Sequence, residues 1–309
     1  VIIPKILRKE NVVGKSPTGT GKTHAFLLPL LQNIDFTNQN VQFLIISPTR
    51  ELATQLYNNI VFFQTFEKRL DVRLYVGGTN RDAEIKRLEK TQPHIVVATV
   101  GKLLDLALDQ NALKIHTSQA IIIDEADMVL EANEIQDIDR ILSVCHERSQ
   151  ILTFSATMPK DLMFFLRKYL SGVDIVDLSR KEVSKTSIEH IFIPTKSKNK
   201  LEMLLKLTQT IQPFLAIIFA NTKDQVDDIA AYLGKNDVKL LKLTGNLQAR
   251  ERRQVIKRIN EGHVEYVVAS DIASRGIDIE GVSHIINYEL PEDIEYYINR
   301  SGRTARHEA

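Results

Sequence analysis

The string Ser16-Pro17-Thr18-Gly19-Thr20-Gly21-Lys22-Thr23 sets the tightest limit on how this chain folds. It lies between a short apolar segment, Asn11–Val13, and a helix-spaced one, Ala25–Ile34. A glycine-rich turn from strand to helix that ends in Lys-Thr is the context a phosphate-binding loop requires. The glycines let successive backbone N–H groups face a phosphate chain, Lys22 brings a point charge near the β and γ oxygens, and the Thr23 hydroxyl suits Mg²⁺. Ser16 stands where the strict pattern has glycine. The rival reading is an ordinary αβ turn with a chance lysine, and it must explain why strand, loop, Lys-Thr and helix coincide.

The rest of the chain fits the same class. Val/Ile-rich strings the length of strands alternate with segments of helical spacing, as in parallel sheets buried on both faces. In the first half the predicted strands are Asn11–Val13, Val41–Ile46, Val72–Tyr75, His94–Ala98, Ala120–Ile123, Ile151–Phe154 and Asp174–Asp177. After the polar stretch Ser179–Ser187 the pattern restarts with Ile188–Ile193, Leu215–Phe219, Lys239–Leu243, Val264–Ala269 and His284–Asn287. Crossover helices are expected over Glu51–Phe66, Glu125–His146, Lys223–Gly234 and Ala249–Asn260. The expected fold is therefore α/β with two open sheets: a first domain over residues 1–179, a linker over 180–187 and a second domain over 188–309.

Composition narrows the function classes. A chain of 309 residues with 43% hydrophobic and 26% charged residues is neither disordered nor fibrous. Basic and acidic residues number 20 and 21 up to residue 179 and 20 and 18 after it, so neither half attracts a polyanion by net charge. Any nucleic acid has to be held locally, by backbone N–H groups, helix starts and a few side chains. The single cysteine, Cys145, excludes an internal disulfide and a cysteine-based zinc cluster, and points to a reducing, cytoplasmic setting. The longest apolar run, Phe214–Ala220, is far short of a membrane span. The Val1 start reads as that of a fragment.

A second chemical signal is Ile121-Ile122-Ile123-Asp124-Glu125-Ala126-Asp127, a buried-looking strand that ends in three carboxylates. Beside a phosphate loop, Asp124 is expected in the Mg²⁺ shell and Glu125 as the group that orients and deprotonates the attacking water. The alternative is that the acids merely cap the next helix. Together the two strings put an ATP or GTP site at the carboxyl edge of the first sheet.

Further strings, in order, resemble the DEAD-box RNA helicases, whose name Asp124–Asp127 spells. Pro48-Thr49-Arg50-Glu51-Leu52-Ala53 is similar to the family's first RNA-contacting motif and Gly77-Gly78 to its double glycine. Thr99-Val100-Gly101-Lys102 falls on its Thr-Pro-Gly-Arg motif, and Ser155-Ala156-Thr157 on the motif that couples nucleotide to RNA. In the second half, Ile217–Thr222, Ala269–Asp278 and Arg300–Arg306 resemble the remaining motifs, the last carrying arginine fingers.

The resemblance implies two tandem RecA-like domains, an RNA-stimulated ATPase with ATP and Mg²⁺ as cofactors, and RNA as partner to a monomer. It implies Asp278 on the ATP ribose, Arg303 and Arg306 on the transition state, and RNA contacts at Pro48, Thr49, Arg50, Gly77, Gly78, Thr99, Gly101, Asn221, Thr222, Arg252 and Ser270. Coupling falls to Ser155, Ala156, Thr157 and Asp127. Physics makes the division intelligible: the phosphate loop and carboxylates lie in one half and the arginines in the other, so domain closure would complete the catalytic set. Without the resemblance, Thr49, Thr99, Thr222 and Ser270 read as caps or turn residues, and Arg50 and Arg252 as solvated or salt-bridged helix residues.

The chain departs from the family at Asn299 (usually His), Ser301 (aliphatic), Ala305 (Gly), Val100 (Pro), Lys102 (Arg) and Ala249 (Gln, with Gln248 adjacent). Lys102 can meet a phosphate, but not with a bidentate fork. The family's adenine-reading segment would precede Val1 and a last strand and helix would follow Ala309, so this stretch alone is expected to be less stable and to bind ATP less well than a longer parent. Two other functions fit the same motifs: an ATP-dependent RNA clamp or assembly platform with little unwinding, and a DNA translocase of the wider helicase superfamily.

Overall fold

The computed structural model describes residues 1–309 apart from 17–20, 131–133, 179–187, 197–198, 246, 248, 272–278, 280, 292–293 and 305–309. The chain divides into two units, Val1–Glu182 and Val183–Ala309. The predicted linker, residues 180–187, falls outside the described residues.

In the first unit, strands β1 (Val12–Lys15), β2 (Phe43–Ile46), β3 (Val72–Tyr75), β4 (Ile95–Ala98), β5 (Ala120–Ile123), β6 (Gln150–Ser155) and β7 (Ile175–Asp177) form one sheet in the order β3-β4-β2-β5-β6-β1-β7, with every pairing parallel. Strand residues alternate between faces, and both faces are buried. Ile121 and Ile123 of β5 join one core with Leu44, Ile46 and Val96, while Ala120 and Ile122 join the other with Phe43, Ile45 and Val97. Helices α1 (Ile2–Leu7), α2 (Lys22–Gln32) and α3 (Arg50–Gln64) cover the second core through Ile6, Phe26, Leu27, Leu56 and Ile60. Helix α4 (Arg81–Lys90), the turn α5 (Val100–Leu103), α7 (Glu134–Val144) and α8 (Lys160–Tyr169) cover the first through Leu88, Leu103, Ile138, Ile141, Leu162 and Phe165. Each such aliphatic side chain contributes about 1.5–3 kcal/mol on burial, which explains the unbroken Val/Ile runs.

In the second unit, β8 (Ala216–Ala220), β9 (Leu240–Leu243), β10 (Tyr266–Ser270) and β11 (His284–Asn287) pair in parallel in the order β11-β8-β10-β9. Helices α9 (Lys200–Thr210) and α10 (Lys223–Lys235) bury Leu204, Val226, Ile229 and Leu233 on one face, and α11 (Ala249–Asn260) buries Ile259 on the other. A last helix, α12, runs Ile294–Ser301.

Two expected elements differ from the structure. Ile188–Ile193 joins no ladder among the described residues, and Ile191 and Phe192 are exposed, so its β-favouring composition found no strand to pair with. The helix expected over Glu125–His146 is instead a single turn, α6 (Ala126–Val129), and then α7 (Glu134–Val144). Glu125 takes a left-handed backbone (φ 49°), so no helix can run through it from β5.

Candidate active site

The registers decide which loops leave the first sheet together. Tyr75, Ala98 and Ile46 are cross-strand partners at the ends of β3, β4 and β2. The predicted RNA residues Gly77, Gly78, Thr99, Pro48, Thr49 and Arg50 therefore emerge side by side. Ile123 pairs with Thr153 and Ser155 with Lys15 at the ends of β5, β6 and β1, so Asp124, the Ser155-Ala156-Thr157 turn and Ser16 emerge from the other half of the same edge.

On the nucleotide side, Ser16 is buried and its amide donates to the Ser155 carbonyl at 3.0 Å, which fixes the entry to the loop. Pro17, Thr18, Gly19 and Thr20 lie outside the described residues. Gly21 begins α2 with φ 83°, a left-handed position that favours glycine, and the first turn carries no acidic residue. Lys22 and Thr23 open that helix, and Lys22 Nζ donates to Glu125 Oε1 at 3.2 Å, both side chains being largely shielded from water. Glu125 is thus held by a strained backbone and an ion pair, an arrangement typical of a functional carboxylate.

The neighbouring Asp124 donates its amide to the Ile46 carbonyl at 3.0 Å, and its carboxyl is pushed up to about 7. Burial is the main cause, followed by the charge of Glu125, with Lys22 pulling the other way. Two crowded carboxylates with one lysine leave negative charge for a cation to offset. The hard oxygens of Asp124 and Thr23 suit Mg²⁺, and no cluster of three or more metal-ligating side chains appears among the described residues. Most of an Mg²⁺ shell here would accordingly have to come from water and phosphate.

Three of the coupling residues form a closed network. The Asp127 amide donates to Ser155 Oγ (3.2 Å), and Ser155 Oγ donates to the Thr157 carbonyl (2.7 Å). The Thr157 amide donates to Asp127 Oδ2 at 3.2 Å, and Thr157 Oγ1 donates to the same oxygen. Ala156 sits between them in sequence, and Asp127 is buried. The third carboxylate of the acidic string is therefore a latch between β5 and β6.

On the other half of the edge, Thr49 caps α3, its Oγ1 accepting from the Leu52 amide at 3.2 Å. The Arg50 guanidinium lies over the double glycine: a Cβ on Gly77 would stand 2.5 Å from Arg50 Nη2, and one on Gly78 (φ 87°) 3.1 Å from Nη1. Thr99 starts α5 with its side chain unused as a cap, and Gly101 is exposed with open space around it. Lys102 is turned into the protein: its side chain is 7% exposed, with Nζ 2.7 Å from Glu84 Oε2 and 3.3 Å from Asp105 Oδ2.

In the second unit, Ala220 and Ser270 are partners at the ends of β8 and β10, which brings Asn221, Thr222 and Ser270 to one edge. Thr222 and Gln225 form a reciprocal cap on α10. Ser270 and Arg252 are buried, and Arg252 does not present an open cationic face. The Arg303 amide donates to the Arg300 carbonyl at 3.2 Å. Asp278, Ala305 and Arg306 lie outside the described residues. Arg300, the start of its motif in the sequence, is buried and donates to four residues of this edge, and no local pattern marks a buried arginine from a surface one.

The DEAD/DEAH box helicase family matches residues 1–165, and the helicase conserved C-terminal domain family matches residues 199–308. The chain is 46% identical over 307 residues to the DEAD-box ATP-dependent RNA helicase CshB of Bacillus subtilis, covering 99% of this chain and 70% of that protein. It is 42% identical to the CshB of Staphylococcus aureus, covering 99% and 68%. Among solved structures it is similar to the DEAD-box helicase Mss116 bound to ssRNA and UDP-BeF, with a TM-score of 0.83, 26% identity and coverage of 99% and 66%. It is also similar to S. cerevisiae Dbp5 bound to RNA and ADP BeF3, with a TM-score of 0.81, 26% identity and coverage of 95% and 75%. On these matches the chain belongs to the family of DEAD-box ATP-dependent RNA helicases, enzymes that hydrolyse ATP and unwind RNA.

Proposed function

We propose that the chain binds ATP with Mg²⁺ and a single RNA strand, closes its two domains over them, and separates short duplexes locally before hydrolysis releases the RNA. The observation that carries this reading is the division of one sheet edge: candidate nucleotide residues follow β1, β5 and β6, and candidate RNA residues follow β2, β3 and β4. Lys22 is assigned to the β and γ phosphates, Thr23 and Asp124 to Mg²⁺, Glu125 to the water, Asp278 to the ribose, and Arg303 with Arg306 to the charge on the transferred phosphoryl group. Mg²⁺ supplies charge neutralisation on the phosphates when bound. Guanidiniums in such a role are worth roughly 10³–10⁵ in rate. Pro48, Thr49, Arg50, Gly77, Gly78, Thr99, Gly101, Asn221, Thr222 and Ser270 are assigned to the RNA backbone, with 2′-hydroxyl contacts selecting RNA over DNA. The Asp127–Ser155–Thr157 latch supports a coupling role, since movement of one strand end there moves the other. A monomer in the cytoplasm belongs to the same proposal.

ATP hydrolysis measured with single-stranded RNA, with single-stranded DNA and with neither, using Glu125→Gln as the blank, tests the reading. RNA-specific stimulation that the substitution abolishes is expected. Equal stimulation by DNA would point to the DNA translocase. ATP-dependent RNA binding without strand separation on a short duplex would point to the clamp.

A further inference from the structure

We propose that Arg300 is a positioning residue, which locks the backbone of the assigned finger Arg303 to the two loops of the second unit assigned to RNA; this rests on the function proposed above. Arg300 lies in the last turn of α12 and is 2% exposed. All five of its N–H donors are used. Nε and Nη2 donate to the two carboxylate oxygens of Asp271 (2.6 and 2.5 Å), and Nη2 donates also to Asn221 Oδ1 (2.8 Å). Nη1 donates to Asn287 Oδ1 (2.9 Å) and to the Glu289 carbonyl (2.7 Å). The guanidinium stands 5.0 Å over the Phe219 ring.

These partners lie at three strand ends. Asn221 follows β8 and precedes Thr222, Asp271 follows β10 and Ser270, and Asn287 ends β11. The Arg300 carbonyl in turn accepts the Arg303 amide at 3.2 Å, so the finger's backbone hangs on the residue that the strand ends hold. Only a planar five-donor fork serves these acceptors at once; a lysine ammonium has three donors and no plane. Stability alone does not call for this device, because a buried ion pair is often replaceable by apolar residues without loss. What the fork supplies is geometry. A shift of Asn221 or Asp271 as RNA engages its neighbours is transmitted to Arg300, and through one hydrogen bond to Arg303.

Arg300→Lys and Asn287→Ala in the full chain test the proposal, the second in case the first folds poorly. RNA-stimulated kcat is expected to fall about tenfold and the RNA half-saturation concentration to rise roughly threefold, together, as misplacement of a positioned group does. Arg303→Ala should lower kcat alone. A lysine variant equal to wild type in both parameters would mean that charge suffices, and would overturn the proposal. Amide hydrogen exchange, which needs no RNA, is the second readout. Protection should fall jointly at residues 221–222, 270–271 and 303–304 while Val226–Leu233 of α10 keep theirs. Loss confined to 303–304, or spread evenly over the unit, would mark a merely structural residue and overturn it. Absence of RNA stimulation in the unaltered chain would sink the proposed function instead, leaving exchange to judge Arg300.

Discussion

Arg50 occupies the space that a side chain on Gly77 would need: its Nη2 lies 2.5 Å from where that Cβ would begin. The obstacle is the far end of a long side chain on the surface, and Gly77 itself does not have a left-handed backbone. Gly77→Ala is therefore expected to leave the melting temperature within a degree or two while pushing the guanidinium off the glycine turn. If that surface holds the RNA backbone, RNA half-saturation rises several-fold. Gly78→Ala should differ, because φ 87° strains any other residue by about 1 kcal/mol whatever the space. Its melting temperature falls, and thermal denaturation of the pair separates the two effects.

Lys102 gives the converse case, a cationic side chain held inside by two carboxylates. Removing it leaves Glu84 and Asp105 without their shared cation, and both are only partly open to water. Lys102→Ala should destabilise the first unit by about 2 kcal/mol, below the 3–5 kcal/mol of a fully buried pair because solvent reaches the acids. Urea unfolding checks the magnitude. A loss under half a kcal/mol would mean that the cluster contributes little.

How much of this was legible in the sequence depends on what each residue's role rests on. Strands such as Ile121–Ile123 announce themselves because burial on both faces forces every position apolar, and the phosphate loop does so because Gly21 and Lys22 meet a local geometric need. Ile188–Ile193 has the same β-favouring composition, but a strand exists only where a partner offers its edge, and that is not a local property. Lys102 and Arg300 were illegible for a related reason. Their acceptors, Glu84 for one and Asn221, Asp271 and Asn287 for the other, are brought within reach only by the fold.

His94 makes stability depend on pH. It is 6% exposed, its Nδ1 accepts from the Asp71 amide at 3.0 Å, and burial holds its pKa below the ordinary 6.5. Because the folded imidazole binds its proton less readily than the unfolded one, its contribution is fully present above pH 6.5 and is lost as pH falls from that value through the lower folded pKa. Asp124, raised to about 7, acts the other way: its ionised form costs stability, so that cost diminishes as pH falls below 7. The difference between wild type and His94→Asn isolates the histidine, since the amide oxygen keeps an acceptor for Asp71 without titrating. Wild type should lose stability relative to the variant between pH 7.5 and 5.5 in urea titrations, and parallel pH curves would refute the assignment.

Cys145 offers a probe of the first unit that needs no label elsewhere, being the chain's single cysteine. Its Sγ donates to the Ile141 carbonyl at 3.3 Å at the end of α7, and burial pushes the thiol up to about 12. Reaction requires the thiolate, which at pH 8 is a negligible fraction of a thiol so shifted but a substantial one of an exposed cysteine near 8.5. A disulfide reagent should therefore modify the native protein at least about a hundredfold more slowly than the urea-unfolded chain. The rate should follow opening of α7 from the core that holds Ile138 and Ile141. Ile141→Ala, which opens a cavity there at a cost of about 2–5 kcal/mol, should raise the native rate steeply. Equal rates in native and unfolded protein would show that the thiol is open to solvent and that α7 does not shield it.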